Sequence, residues 1–97
     1  MKIIVNNINY DLRPEGAFVL ANDYQGDITI PAQIIIDGQS IRVVGIAQEA
    51  FYGCDDVTSI TLPEGLTTIE DSTFEFMSGL TEIVIPEKVT SVGAYAF

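Results

Sequence analysis

Apolar positions in this chain repeat in a long, fixed register. Phe51, Phe74 and Phe97 are evenly spaced, and when they are laid over one another other positions fall into columns. Cys54 meets Met77, Val57 meets Leu80, Ile60 meets Ile83 and Leu62 meets Ile85. Pro63 meets Pro86, Leu66 meets Val89 and Ile69 meets Val92. Every apolar column stays apolar and the proline column is identical. Fixed-period self-similarity of this length is the signature of a solenoid, whose units bury their apolar edges only against their neighbours.

Each unit carries its own local signals. Ser59-Ile60-Thr61-Leu62 and Glu82-Ile83-Val84-Ile85 alternate or nearly so, which predicts strands with Ile60, Leu62, Ile83 and Ile85 on one face. The proline ends each strand because it has no donor for a ladder. A second short strand, Leu66-Thr67-Thr68-Ile69 or Val89-Thr90-Ser91-Val92, follows. A tight or single helical turn then carries the phenylalanine, and Ser72 followed by Glu75 has capping-box spacing.

A fainter copy lies upstream. Asp27-Ile28-Thr29-Ile30-Pro31 reads like Ser59-Ile60-Thr61-Leu62-Pro63, but the step from Asp27 to Ser59 is longer than the step from Ser59 to Glu82. The surplus falls around residues 34–44, where two apolar runs flank Asp37-Gly38, a strong hairpin signal. Nearer the N-terminus, Ile8–Leu12 alternates, Arg13-Pro14-Glu15-Gly16 is turn chemistry, and Ala17–Ala21 is extended again. A solenoid needs its first coil covered, and this hairpin is placed to do so. The expected organisation is a cap over residues 1–23 and a solenoid over 24–97. The solenoid divides into an atypical coil at 24–51, with its hairpin inserted at 34–44, and repeats at 52–74 and 75–97. The stop at Phe97, mid-repeat, suggests a longer array, and end-to-end self-association is expected of an uncapped last coil exposing Val89, Val92 and Phe97.

Composition narrows the function. Fourteen acids against four bases give a net charge of −10, which opposes nucleic acid and anionic membranes as partners. No segment reaches the roughly 18 consecutive apolar residues of a membrane span, and Met1–Asn7 is too short for a signal-peptide core. The single cysteine, Cys54, has no internal disulfide partner and shares an inward column with Met77, so it reads as a buried filler. Histidine is absent, so Ser or Cys nucleophiles lack their usual base, and the adjacent Asp55 and Asp56 diverge. Neither catalysis nor a cofactor is expected. Calcium at Asp27, Asp55 and Asp56 lacks any calcium-loop motif. Tyr10, Tyr24, Tyr52 and Tyr95 are expected to half-bury at turns with wet hydroxyls.

Val57–Pro63, Ala50-Phe51-Tyr52-Gly53-Cys54 and Val89–Phe97 resemble BspA-like leucine-rich repeats, whose unit runs strand, Ile-Pro, Val-Thr-Ser-Ile-Gly, then an Ala-Phe-x-Gly-Cys turn. Tyr24–Pro31 resembles the lead-in of such arrays. The second copy departs: Glu70 replaces Gly, Thr73 replaces Ala, and Met77-Ser78-Gly79 replaces the Gly-Cys turn. The resemblance implies a mainly β, right-handed leucine-rich-repeat solenoid with 23-residue coils, each with two short strands and a short helical turn. It also implies a non-enzymatic adhesion or protein-binding role at a bacterial cell surface or in secretion, with the leader missing. A cytoplasmic scaffold is the alternative if Met1 is the native start, and a structural spacer or capping module is another.

In such a solenoid the outward strand residues form a ladder. Here it presents Asp27 and Thr29, Ser59 and Thr61, and Glu82 and Val84 as a face for a protein or glycan ligand, with a host molecule as one source. The same positions also suit ordinary solvent-facing strands, where Thr is a good β-former. A second ladder, Arg42, Val44, Thr68 and Ser91, competes equally.

Overall fold

In the computed structural model, which describes residues 1–81 and 83–96, the repeat columns become rungs of parallel strands. The strands are β1 (Lys2–Val5), β2 (Ile8–Arg13), β3 (Gly16–Val19), β4 (Gly26–Thr29), β5 (Gln33–Ile36), β6 (Gln39–Ile46), β7 (Val57–Thr61), β8 (Thr68–Ile69) and β9 (Ser91–Val92). The larger sheet runs β1-β2-β3-β6-β8-β9, with β5 paired to β6, and the smaller joins β4 to β7. β6, β8 and β9 are parallel, with Gly45 opposite Thr68 and Thr68 opposite Ser91, each one repeat further along. β4 and β7 are parallel across the longer interval, Asp27 facing Ser59 and Thr29 facing Thr61.

The N-terminal segment adds a strand that was not expected. β1 pairs antiparallel with β2, and β2 with β3, so three strands meet the repeats where β3 runs parallel to β6. Asn6 and Asn7 join β1 to β2 with φ of 49° and 67°. Asparagine tolerates this left-handed region, which a two-residue turn between twisted strands requires at both positions. Asp37 and Gly38, at 50° and 77°, do the same between β5 and β6.

The core runs through the stack as a column of rings. Tyr24 lies 4.8 Å from Phe51, and Phe51 lies 5.8 Å from Phe74 at an interplanar angle of 17°. Phe97, the third phenylalanine of the column, lies outside the described residues. Phe51, Leu66 and Ile69 are fully buried, and Val57 and Ile60 close the other side. Burial falls in the next copy: Val89 is partly buried and Val92 is 52% exposed. An apolar side chain here is covered by the rung on each side, and β9 has β8 as its one strand partner among the described residues.

Several expectations are corrected. The phenylalanine turns are not helical, and no helix occurs among the described residues. Their N–H groups alternate between two kinds of acceptor. Ala50, Tyr52 and Cys54 donate three residues back, to Ala47, Glu49 and Phe51, whereas Glu49 N donates to Asp71 O (3.0 Å), Phe51 N to Thr73 O (2.9 Å) and Gly53 N to Glu75 O (2.9 Å) in the next repeat. Ser72, at φ 55°, therefore makes no capping box. Ile83, Val84 and Ile85 form no strand, Val84 and Ile85 are exposed, and Glu82 lies outside the described residues.

Cys54 is half-buried, packed against the core rather than within it, with Sγ 3.8 Å from the Asn22 carbonyl, while Met77 of the same column is buried. The tyrosines divide instead of sharing one role. Tyr10, on β2, is fully buried, and Tyr24 is 5% exposed with its hydroxyl donating to the Leu20 carbonyl. Burial pushes both phenols up to about 12. Tyr52 and Tyr95 are exposed.

The departures of the second copy have local causes. Glu70 joins the N-terminal strands to the repeats: Arg13 Nη1 donates to its Oε2 at 3.1 Å, and Gln48 N to its Oε1 at 3.1 Å. Thr73 is fully buried, with its hydroxyl shared between the carbonyls of Glu70 (2.7 Å) and Ala47 (3.2 Å). Ser78 donates from Oγ to Asp55 Oδ1 at 2.9 Å.

Candidate functional site

Alternation along β4 and β7 turns Ile28 and Ile60 inward and leaves Asp27, Thr29, Ser59 and Thr61 on the outer side. Register then makes two rungs, Asp27 beside Ser59 and Thr29 beside Thr61. Asp27, Thr29 and Thr61 are exposed, while Ser59 is half-buried. Val84 is 72% exposed and lines a concavity of about 450 Å³ with Ser59, Thr61, Ile60 and Leu62. Glu82 lies outside the described residues, and Val84 belongs to no strand, so the smaller sheet has two rungs among the described residues.

Asp27 accepts two hydrogen bonds at the same oxygen, from Ser59 Oγ at 2.8 Å and Thr58 Oγ1 at 3.0 Å. These bonds, that from Ser59 foremost, hold the Asp27 carboxyl below its ordinary range. A carboxylate depressed in the folded state stabilises the fold above its unfolded pKa of about 3.9, and that contribution is lost as pH falls through the lower folded value. Asp27→Asn should therefore melt below the wild type at pH 7, with the gap closing under strongly acidic conditions. Paired thermal melts followed by circular dichroism test this; a gap independent of pH would count against ionised Asp27 as the bonded form.

On the Asp27 and Thr29 side, a second concavity of about 510 Å³ is lined by Asn6, Asn7, Asn22 and Gln25. Its amides come from the β1–β2 turn and the lead to β4, which the self-alignment does not cover. The Asn6-Asn7 pair between apolar runs is the signal that marks this turn.

The competing ladder is misregistered by one residue. Gly45, not Val44, stands opposite Thr68, and the Val44 carbonyl instead accepts from Thr67 N at 2.9 Å. Phe18 faces Gly45 in the same column, so this side is occupied by the N-terminal strands at its start.

Burial pushes the Cys54 thiol up, which keeps it protonated at neutral pH. Among the described residues, no three His, Cys, Asp or Glu side chains are grouped to hold a metal ion. Among the same residues, no helix is long and apolar enough to cross a membrane.

Parallel rungs recurring once per repeat, with turns bonded to turns, define a β-rich repeat protein. A family model described as BspA type leucine rich repeat region (6 copies) matches residues 44–97, more than half of the chain. The chain belongs to that family. No curated protein and no solved structure matches it. Leucine-rich-repeat families generally supply interaction modules without catalysis, and BspA-type repeats are typically found in surface or secreted proteins.

Proposed function

We propose that this chain is a non-enzymatic binding module of a cell-surface or secreted protein. It presents the β4–β7 rungs of a solenoid with 23-residue coils to a protein or glycan, and the three N-terminal strands cap the first coil. The observation that carries this reading is the in-register pairing of Asp27 with Ser59 and Thr29 with Thr61, which sets four small polar side chains on one outer face. Short hydroxyls beside a carboxylate and an amide-lined concavity suit polar ligands that are contacted weakly at many points.

The spacer reading has one observation in its favour: Asp27 is already bonded to its neighbours' hydroxyls. Capture of extracellular proteins and glycans from an array separates the two. The binding module is expected to retain a defined subset, and Thr29→Arg with Thr61→Arg should abolish that retention without lowering the melting temperature. Silence across the array, or retention indifferent to the double substitution, would refute the rung face as the site.

A further inference from the structure

The turn that follows the phenylalanine contains an aromatic pair for which the fold has no evident use. Phe76 is 66% exposed and Tyr52 is 44% exposed, and they meet edge to face with centroids 5.4 Å apart at 89°. Phe76 occupies the column of Gly53, and both are left-handed, at φ 59° and 68°. Glycine takes that conformation freely, whereas a bulky side chain is strained in it, so neither packing nor backbone preference accounts for a phenylalanine here.

The pair stands beside a concavity of about 600 Å³ that Tyr52 lines together with Asp23, Glu49, Asp55 and Asp56. None of the chain's four basic residues lines it, and Arg13 is already engaged by Asp11 and Glu70. Ser78 bonded to Asp55 holds the Phe76 turn against this wall. Ring faces attract cations within about 6 Å, and neighbouring carboxylates add a charge that desolvated rings alone do not supply.

The geometry points to a docking surface for an arginine- or lysine-bearing peptide segment of a partner protein. One cationic side chain lies against the Tyr52–Phe76 pair and its neighbours face the carboxylates of the concavity. Charge complementarity selects this occupant over a neutral sugar, which could use the rings and donate to the carboxylates but would leave their four charges unbalanced. This surface adjoins the concavity beside the rungs, sharing Asn22, Asp23, Tyr24 and Gln25 with it, but contains none of the four rung residues, and it rests on the interaction-module reading.

The test is titration of the full chain with oligo-arginine and with oligo-citrulline, which keeps the shape and removes the charge, monitored by amide chemical shifts. Oligo-arginine is expected to shift residues around Tyr52 and Phe76, and oligo-citrulline to leave them unmoved. Phe76→Gly should weaken oligo-arginine roughly two- to fivefold without loss of thermal stability, because glycine suits the left-handed position and every charge remains. Tyr95→Ser, which removes an exposed ring two repeats along the Glu49 column, should bind as the wild type does. Equal binding by Phe76→Gly and wild type, equal binding of the two peptides, or a neutral glycan preferred at the pair would each overturn the proposal. Shifts confined to the β4–β7 rungs would overturn it while leaving the interaction module standing. The absence of binding by every protein, peptide and glycan would count against both.

Discussion

Phe51→Ala is expected to cost roughly 3–5 kcal/mol, the range for emptying a buried aromatic site. Phe51 is fully buried between Tyr24 at 4.8 Å and Phe74 at 5.8 Å, so its ring touches the lead-in segment on one side and the next repeat on the other. Its backbone N–H is also bonded to Thr73, which limits how far the turn can collapse into the cavity. Domains of this size have about 5–15 kcal/mol in total, so the variant should be near the edge of folding. Each kcal/mol moves the melting temperature by about 4–8 °C in chains of this length, giving a drop on the order of 15 °C or more. Urea unfolding followed by circular dichroism measures it. A loss below about 1 kcal/mol would mean that the ring column does not hold the repeats together.

That column was legible in the sequence because phenylalanine spacing is a one-dimensional property that survives folding unchanged. The β4–β7 rungs were legible for the same reason, through the match of Asp27–Pro31 to Ser59–Pro63. The second ladder held from Thr68 to Ser91 but slipped by one residue at Val44, since the repeat offset assigns Thr68 to Gly45. β1 was missed because Lys2–Val5 has no copy elsewhere, and its partner is fixed by the Asn6-Asn7 turn rather than by the repeat. The helical turns were misread for a deeper reason. Local sequence predicts where an N–H can find a carbonyl nearby, and Ala50, Tyr52 and Cys54 do so three residues back, but the acceptor of Phe51 N between them sits on Thr73, in the following repeat, so no helix continues. The aromatic pair also escaped, since Phe76 looks like one more apolar residue until its column partner is seen to be left-handed Gly53.

Gly45→Ala should destabilise the protein by roughly 2–4 kcal/mol, although intrinsic preference argues for the opposite sign. Alanine is better than glycine inside a strand by about 0.5–1 kcal/mol, and the Gly45 backbone is not in the left-handed region. Packing decides against it. A Cβ at Gly45 would fall on the Phe18 ring, onto Cε2, Cδ2 and Cζ, so the ring must leave its place. Phe18 is 3% exposed and carries the Arg13 guanidinium 3.9 Å from its centroid, while Arg13 also reaches Glu70. Displacing the ring therefore exposes buried apolar surface and loosens the contact between the N-terminal strands and the repeats. Since the two residues contend for one space, the double variant Phe18→Ala with Gly45→Ala should cost less than the sum of the two single changes. Unfolding free energies of the four proteins give the coupling directly. Additive costs, or a Gly45→Ala protein as stable as the wild type, would show that Phe18 has another place to go and that the glycine is not what seats it.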